Sequence, residues 1–306
     1  MKVINIFKGF LIGIANLIPG VSGGTFALIL GIYGRLINDI NRLGIGTLKA
    51  FFTPGEFKDE FKRIDGIFLL SVAGGAVVSI AGFSWLIDFV LKNYPGYTLA
   101  FFAGLILPSI AVPYKLIDEK NIKNAFFILP GALIVAALYA FPLSSGAADI
   151  SLVLIFFSGF IAICAMVLPG ISGSFLLLAT GVYGTVIGHI KNFFFSPSLE
   201  SFVFLAVFTS GAAIGLIVFV KLMKRLLEKY KNKTFYFLIG LILGSMVVLW
   251  PFKAAETASP DLKAKIRIAS ARNRLPSSGR EAASFAGFFV IGLVAASLLA
   301  KVDSDR

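Results

Sequence analysis

The sequence predicts an all-α integral membrane protein made of two inverted repeats, each a re-entrant, broken-helix hairpin followed by three transmembrane helices. Three observations carry that expectation. The 306-residue chain is 58% hydrophobic, with a mean hydropathy of +0.90. Its charged residues, 14% of the chain against about 25% in a soluble domain, cluster between long apolar stretches. The stretch "LIPGVSGGTF" at 17–26 returns as "VLPGISGSFL" at 167–176.

A hydrocarbon core about 30 Å thick takes about 20 apolar residues per helical crossing. Stretches of that kind lie near 66–91, 98–114, 124–142, 202–220, 234–250 and 284–300, and two more, 3–37 and 151–188, are interrupted by the quoted motifs. Runs such as "LAVFTSGAAIGLIVFV" lack the polar–apolar alternation of membrane-spanning strands. The start of the chain loosely resembles a signal peptide, a lysine followed by an apolar run. No small-residue cleavage site follows cleanly and the pattern recurs at 151–170, so it reads as retained structure. The one cysteine, Cys164, excludes an internal disulfide and sits in "AICAMVL" as a small hydrophobe. The formal charge of +12 orients a membrane protein through its basic loops; no nucleic-acid partner is expected.

Sliding the chain by about 150 positions aligns Pro19, Gly20, Ser22 and Gly23 with Pro169, Gly170, Ser172 and Gly173, and "GIYG" (31–34) with "GVYG" (181–184). "FFAGLILPS" (101–109) is echoed by "FLIGLILGS" (237–245). The halves are therefore 1–145 and 151–306, the second carrying a basic polar loop at 252–283, and together they form a single integrated transmembrane domain. If each interrupted pair returns to its starting side, most lysines and arginines fall on the inner side, with both termini cytoplasmic. Each half then crosses an odd number of times, which makes the repeats inverted. The 252–283 loop is the exception to the charge bias.

The arms from Gly9 to Ile18 and from Gly24 to Gly34 each span roughly 15–17 Å as helix, about half the hydrocarbon core. That length places the turn near the midplane. Irregular backbone at such depth persists only when buried in protein or facing a water-filled cavity. Pro19 ends the first arm; Gly20, Gly23 and Gly24 allow a tight turn and close approach; Ser22 or Thr25 caps the next helix. Pro169, Gly170, Ser172, Gly173 and Ser174 offer the same in the second copy. The free N–H groups of two helix starts, each worth roughly half a positive charge, favour an anion. Arg35 and His189 are expected near a surface, about 16 and 22 Å along ideal helices from Gly24 and Ser174. Small residues also serve plain helix packing, the reading given to "GAAIG" (211–215) and "GLILG" (240–244). Two copies at matching places favour a substrate site.

"GIANLIPGVSGGTFALILGIYGRLI" resembles the N-terminal signature of the polyprenyl-phosphate transporters of prokaryotic membranes, long catalogued as a domain of unknown function. The resemblance extends over most of the chain, with 253–282 the region where it is expected to be weakest. It implies a flippase that returns undecaprenyl phosphate, the lipid carrier of cell-wall precursors, from the outer to the inner leaflet of the cytoplasmic membrane. Asn16, Pro19, Gly20, Ser22, Gly23 and Gly24 occupy the family's motif positions. The partners implied are a polyprenyl-phosphate lipid and membrane lipids, with no cofactor and no metal.

Two rival readings stand beside it. Undecaprenyl-pyrophosphate phosphatases have a signature resembling Pro-Gly-x-Ser-Arg-Ser-Gly, but Gly23 and Gly173 stand where the arginine would be, and no Glu-x-x-x-Glu pair lies in an apolar segment. A small-anion transporter differs only in lacking a lateral opening to lipid. No P-loop pattern is present. Among charges in apolar stretches, Asp88 is expected to pair with Lys92 or to sit at a solvated end, His189 to lie at the surface, and Lys8 to snorkel. The run "EFKDEFKRID" at 56–65 reads as an amphipathic helix on the inner surface or a solvated loop helix.

Overall fold

The computed structural model describes residues 3–53, 55–140, 151–254, 264, 267–268 and 271–304. Ordered along the chain, its helices are α1 (Val3–Asn16), α2 (Gly23–Ile29), α3 (Tyr33–Asn41), α4 (Ile45–Phe52), α5 (Glu56–Arg63), α6 (Gly66–Asn93) and α7 (Pro95–Ile106). A 3₁₀ turn at Leu107–Ile110 leads into α8 (Ala111–Lys115), followed by α9 (Ile122–Ala125) and α10 (Ile128–Ala140). The rest are α11 (Leu152–Val167), α12 (Gly173–Ala179), α13 (Tyr183–Phe195), α14 (Leu199–Lys229), α15 (Lys231–Val248) and α16 (Gly279–Ser304). Among the described residues the one bridge between extended segments joins Lys253 to Asn273.

Among the described residues, five helical segments are long and apolar enough to cross a bilayer: Gly66–Asn93, Pro95–Lys115, Ile122–Tyr139, Leu199–Lys229 and Gly279–Leu299. Counting the bent pair Gly173–Ala179 and Tyr183–Phe195 as one span makes six. The stretch expected at 234–250 forms α15, which is not one of the five. Lys231 and Lys233 occupy its first turn, leaving Thr234 to Val248, about 22 Å of helix, most of it buried. Large apolar side chains elsewhere face outward, among them Trp85, Phe194, Phe195, Leu199 and Val290. Bilayer lipid accepts such a surface; water does not.

Small residues set how the helices meet. Gly75 of α6 lies so close to α1 that a Cβ would overlap Ile6 O, and Gly9 of α1 is as close to Val72 O. In the second half Gly211 of α14 approaches Phe156 O and Gly159 of α11 approaches Phe208 O in the same way. Two further pairs join the halves. Gly104 of α7 and Gly292 of α16 abut Phe289 O and Phe101 O, while Gly240 of α15 and Gly131 of α10 abut Ile128 O and Phe237 O. The last helix of each half thus packs on the "FxxG" helix of the other half. Close backbone approach of this kind is what small residues supply where lipid gives no hydrophobic drive.

The downstream arms differ from expectation. Neither runs on as a straight helix through "GIYG" or "GVYG". α2 and α12 stop after seven residues each. Gly31 and Gly181 then take φ of +67° and +74°. The next amides turn back on the helix, Ile32 N–H to Ala27 O at 2.9 Å and Val182 N–H to Leu177 O at 3.0 Å. This is a glycine-ended helix stop, and α13 leaves α12 at 110°. Arg35 and His189 lie beyond those bends, so their distances along an ideal helix do not apply. The echoed glycines are the cause of the break.

The helix read from 56–65 is present as α5, with no buried residue. Glu60 ties it to α4, accepting the Thr47 hydroxyl at 2.6 Å and both Nε and Nη2 of Arg63 at 2.6 Å. Those donors hold its carboxyl down at about 2. The boundary at 141–150 and much of the 252–283 loop lie outside the described residues. The loop's described stem is closed by Asn273 Nδ2 on Val247 O at 2.8 Å and Trp250 Nε1 on Arg274 O at 2.8 Å. Ala264 and Ile268 are buried in the core.

Gly211→Leu is expected to destabilise the protein by about 1–3 kcal/mol or more, the cost of overpacking, read as a lower thermal midpoint in detergent. Gly82→Ala, with no atom near its Cβ position, should leave the midpoint unchanged or raise it slightly.

Candidate functional site

The two motif elbows touch. Pro19 and Pro169 end α1 and α11, and the following glycines, Gly20 and Gly170, adopt φ of +74° and +81°. Ser22 then caps α2, accepting the Thr25 amide at 3.2 Å. Its own hydroxyl donates across the molecule to Leu168 O at 2.7 Å. Thr25 Oγ1 lies 3.2 Å from Ser22 Oγ and accepts the Gly170 N–H at 3.0 Å. With the Ser22 proton committed to a carbonyl, the Thr25 hydroxyl must donate to Ser22 Oγ. Gly24 fits only without a side chain, because a Cβ would overlap Val167 O. One elbow therefore satisfies both an orphan carbonyl and an orphan amide of the other.

The lock is one-sided. Gly23 N–H is taken by Asn16 Oδ1 at 2.9 Å, and every residue of α2 is buried. The corresponding positions in the second copy are Met166 for Asn16 and Phe175 for Thr25. Met166 offers no comparable oxygen, and Phe175 stacks on Tyr139 of α10 at 3.8 Å between centroids. Ser172 stands at the N-cap position of α12 but makes no side-chain capping bond; its hydroxyl pairs with Ser174 Oγ at 2.9 Å. Among the described residues, no hydrogen bond is recorded from the amides of Gly173 or Ser174.

Ser172, Gly173 and Ser174 line a cavity of about 440 Å³. Its polar wall is Asn16, Ser172, Gly173, Ser174, Ser84, Asp88 and Tyr183; Ile80, Trp85 and Leu91 of α6 contribute apolar surface. Of the twelve positions proposed from sequence, Asn16, Ser172, Gly173 and Ser174 line the cavity, whereas Ser22, Gly24 and Thr25 form the lock behind it. Gly23 stacks under Asn16. Pro19 and Pro169 are the helix stops. Gly20 packs on Val248 and Leu249, and Gly170 on the backbone of Leu241.

Sequence reasoning missed Ser84 and Tyr183 and misplaced Asp88. The carboxylate does not pair with Lys92; its Oδ1 accepts the Ala264 N–H at 3.2 Å. A signal was present in Tyr183, the residue of "GVYG" that follows the helix stop. Lys8 donates to Leu30 O at 2.7 Å, at the end of α2, where a cation meets the negative end of the helix dipole. Arg35 is paired with Asp65 and Asp39 and lies over the Phe68 ring. His189 bonds to Ser201 Oγ at 3.0 Å and stacks on Phe204. A second cavity, about 540 Å³, lies between α7, the end of α15 and α16, with Leu249, Phe252, Phe285 and Phe289 in its wall; it is almost wholly apolar.

The two sides of the protein also differ. On the first-motif side α3 packs on α14, burying Tyr33 and Ile37. On the other side α13 makes no such packing against α6, and the polar cavity lies between them.

Residues 12–266 match the family model described as VCA0040-like, undecaprenyl phosphate translocase-like. The chain is 39% identical over 253 residues to a protein named polyprenyl-phosphate transporter from Vibrio cholerae serotype O1, covering 82% of this chain and 78% of that one. It is 34% identical over 268 residues to a protein of the same name from Staphylococcus aureus, covering 82% and 87%. No solved structure matches the chain significantly.

Thr25→Val keeps shape but strands the Gly170 amide, an expected cost of about 1–3 kcal/mol. Thr25→Ser should recover most of it. Thermal unfolding of the two variants in detergent is the measurement.

Proposed function

The chain belongs to the undecaprenyl phosphate translocase-like, VCA0040-like family, and on that premise we propose that it is a flippase moving undecaprenyl phosphate across the cytoplasmic membrane for reuse in envelope synthesis. The family and its relatives are named for transport, not for an enzyme reaction. The observation that carries the reading is the polar cavity at the second elbow. Unpaired amides of Gly173 and Ser174 and the hydroxyls of Ser172, Ser174 and Ser84 converge on it. They are donors for phosphate oxygens in a region where a bare charge is very costly.

A lipid substrate also needs a way in from the side. Trp85 lines the cavity and is 75% exposed, which supports an opening toward lipid and favours a lipid phosphate over a small soluble anion. The isoprenoid tail then stays in the bilayer while the headgroup crosses. Undecaprenyl-pyrophosphate cleavage would call for an acid or base beside a charge-stabilising cation, and among the described residues no Lys, Arg or His lines the cavity.

The matched glycine contacts of the two halves support a duplicated architecture, read here as inverted, with both termini cytoplasmic. In that architecture the polar cavity opens outward. Exchange of the two packings, α13 closing onto α6 as α3 leaves α14, would turn the headgroup site inward around the fixed elbows. Inverted-repeat transporters place their sites at such broken helices. The direction favoured here is outer to inner leaflet.

Depleting the protein in cells without other transporters of this lipid should raise outward-facing undecaprenyl phosphate; no rise would refute the assignment. In liposomes, replacing Ser172 and Ser174 together with Val should slow leaflet exchange by tenfold or more, since each bond to a charged group contributes about 1.5–3 kcal/mol. The thermal midpoint should stay near that of the parent protein.

A further inference from the structure

We infer that Asp88 makes movement of the headgroup proton-linked: its carboxylate relays one proton to the phosphate bound in the same cavity. The inference rests on the reading of the cavity as a phosphate-lipid site. A phosphate monoester carries about −1.5 to −2 charges near pH 7. Asp88 lines the same cavity as the Gly173 and Ser174 amides. Among the described residues no lysine, arginine or histidine lines it to offset an ionised carboxylate. Two acids brought together in one cavity repel when both are ionised, and sharing a proton relieves that repulsion.

The surroundings of Asp88 give it this role. Oδ1 accepts the Ala264 amide at 3.2 Å, and this is the one hydrogen bond recorded for the carboxylate among the described residues. Ser84 lies one turn before it on α6, and Tyr183 approaches from α13. Among the described residues the titratable or charged groups around it are few. α13 presents Tyr183. α1 presents Asn16, and α11 and α12 present Met166, Ser172 and Ser174, none of them charged. The segment that donates to Asp88 carries Arg267, which has contacts of its own. Lys92 follows one turn further along α6 and is exposed.

The acid belongs to this cavity and not to the repeat. Counted from the matched glycines Gly75 and Gly211, the position equivalent to Asp88 on α14 is Lys224, which pairs with Glu228 at 3.8 Å. A duplicated scaffold thus carries opposite charges at matched places. An acid at one and a base at the other suit a headgroup admitted with a proton on the Asp88 side and released without it on the far side.

The step balances. A hydronium ion on the open side gives its proton to the Asp88 carboxylate as the phosphate binds, and leaves as water. The O–H bond at the carboxyl breaks as one forms at a phosphate oxygen, so the headgroup crosses as a monoanion and the carboxylate is left as it began. The proton leaves to water on the other side as the phosphate returns to its bulk ionisation, and the next cycle draws its proton from a hydronium ion on the open side.

The test uses the full chain in liposomes containing undecaprenyl phosphate and a luminal pH dye. Leaflet exchange of the wild type should accelerate when a pH gradient is imposed with acid on the Asp88 side, and lipid movement should carry protons. Asp88→Asn should lose both responses, and Asp88→Glu should regain them. Wild-type exchange that is indifferent to the pH gradient, or driven instead by sodium, would overturn the inference while leaving the transporter reading intact. Full gradient response in Asp88→Asn would do the same. Absence of any lipid movement by the wild type would remove both. The wild-type response and the Asp88→Glu variant keep the test decisive if Asp88→Asn folds poorly.

Discussion

A backbone that stops being helical inside a bilayer must find partners for its amides and carbonyls within the protein, because the surrounding hydrocarbon offers none. Where the two elbows meet, two hydroxyls supply such partners. Ser22 and Thr25 of the first elbow take up Leu168 O and the Gly170 amide of the second. Each such bond contributes about 1 kcal/mol net, but leaving either group unpaired in so buried a place costs about 1–3 kcal/mol. The elbows are therefore held together by the price of separating them. Gly24, with no room for a side chain against Val167 O, brings them close enough for the bonds to form.

The same lock explains why two similar motifs end up unlike. Asn16 and Thr25 spend the first copy's polar groups on protein structure. Met166 and Phe175 replace them in the second copy, so the α12 amides keep their hydrogen-bonding capacity for something else. Similar halves with different closures, α3 seated on α14 but a cavity between α6 and α13, are what a carrier with two alternating openings would present in one of its states.

Much of this was legible in the residues. The apolar stretches and their polar joints gave the helices, because the bilayer imposes length and polarity directly. Pro19 and Pro169 marked the stops, and the recurrence of serine and glycine after them marked the elbows. Three features were not legible. The seven-residue arms end at Gly31 and Gly181, and a glycine in an apolar run is equally a packing residue until its φ is known. The status of 234–250 depends on burial by neighbouring helices, which the chain order alone does not reveal. Asp88 sits four residues from Lys92, and local spacing favoured a pair; the tertiary approach of α12, α13 and Ala264 decided otherwise.

The central claim is that the interlocked elbows shield the first motif and leave the second open to the headgroup. Its most direct measurement is thiol labelling in a Cys164→Ala background, with single cysteines placed at Ser174 and at Ser22. The account predicts that a small polar thiol reagent modifies the cysteine at Ser174, that undecaprenyl phosphate protects it, and that the cysteine at Ser22 stays unmodified. Labelling at Ser174 that the lipid leaves unchanged, or lipid-sensitive labelling at Ser22 alone, would contradict it.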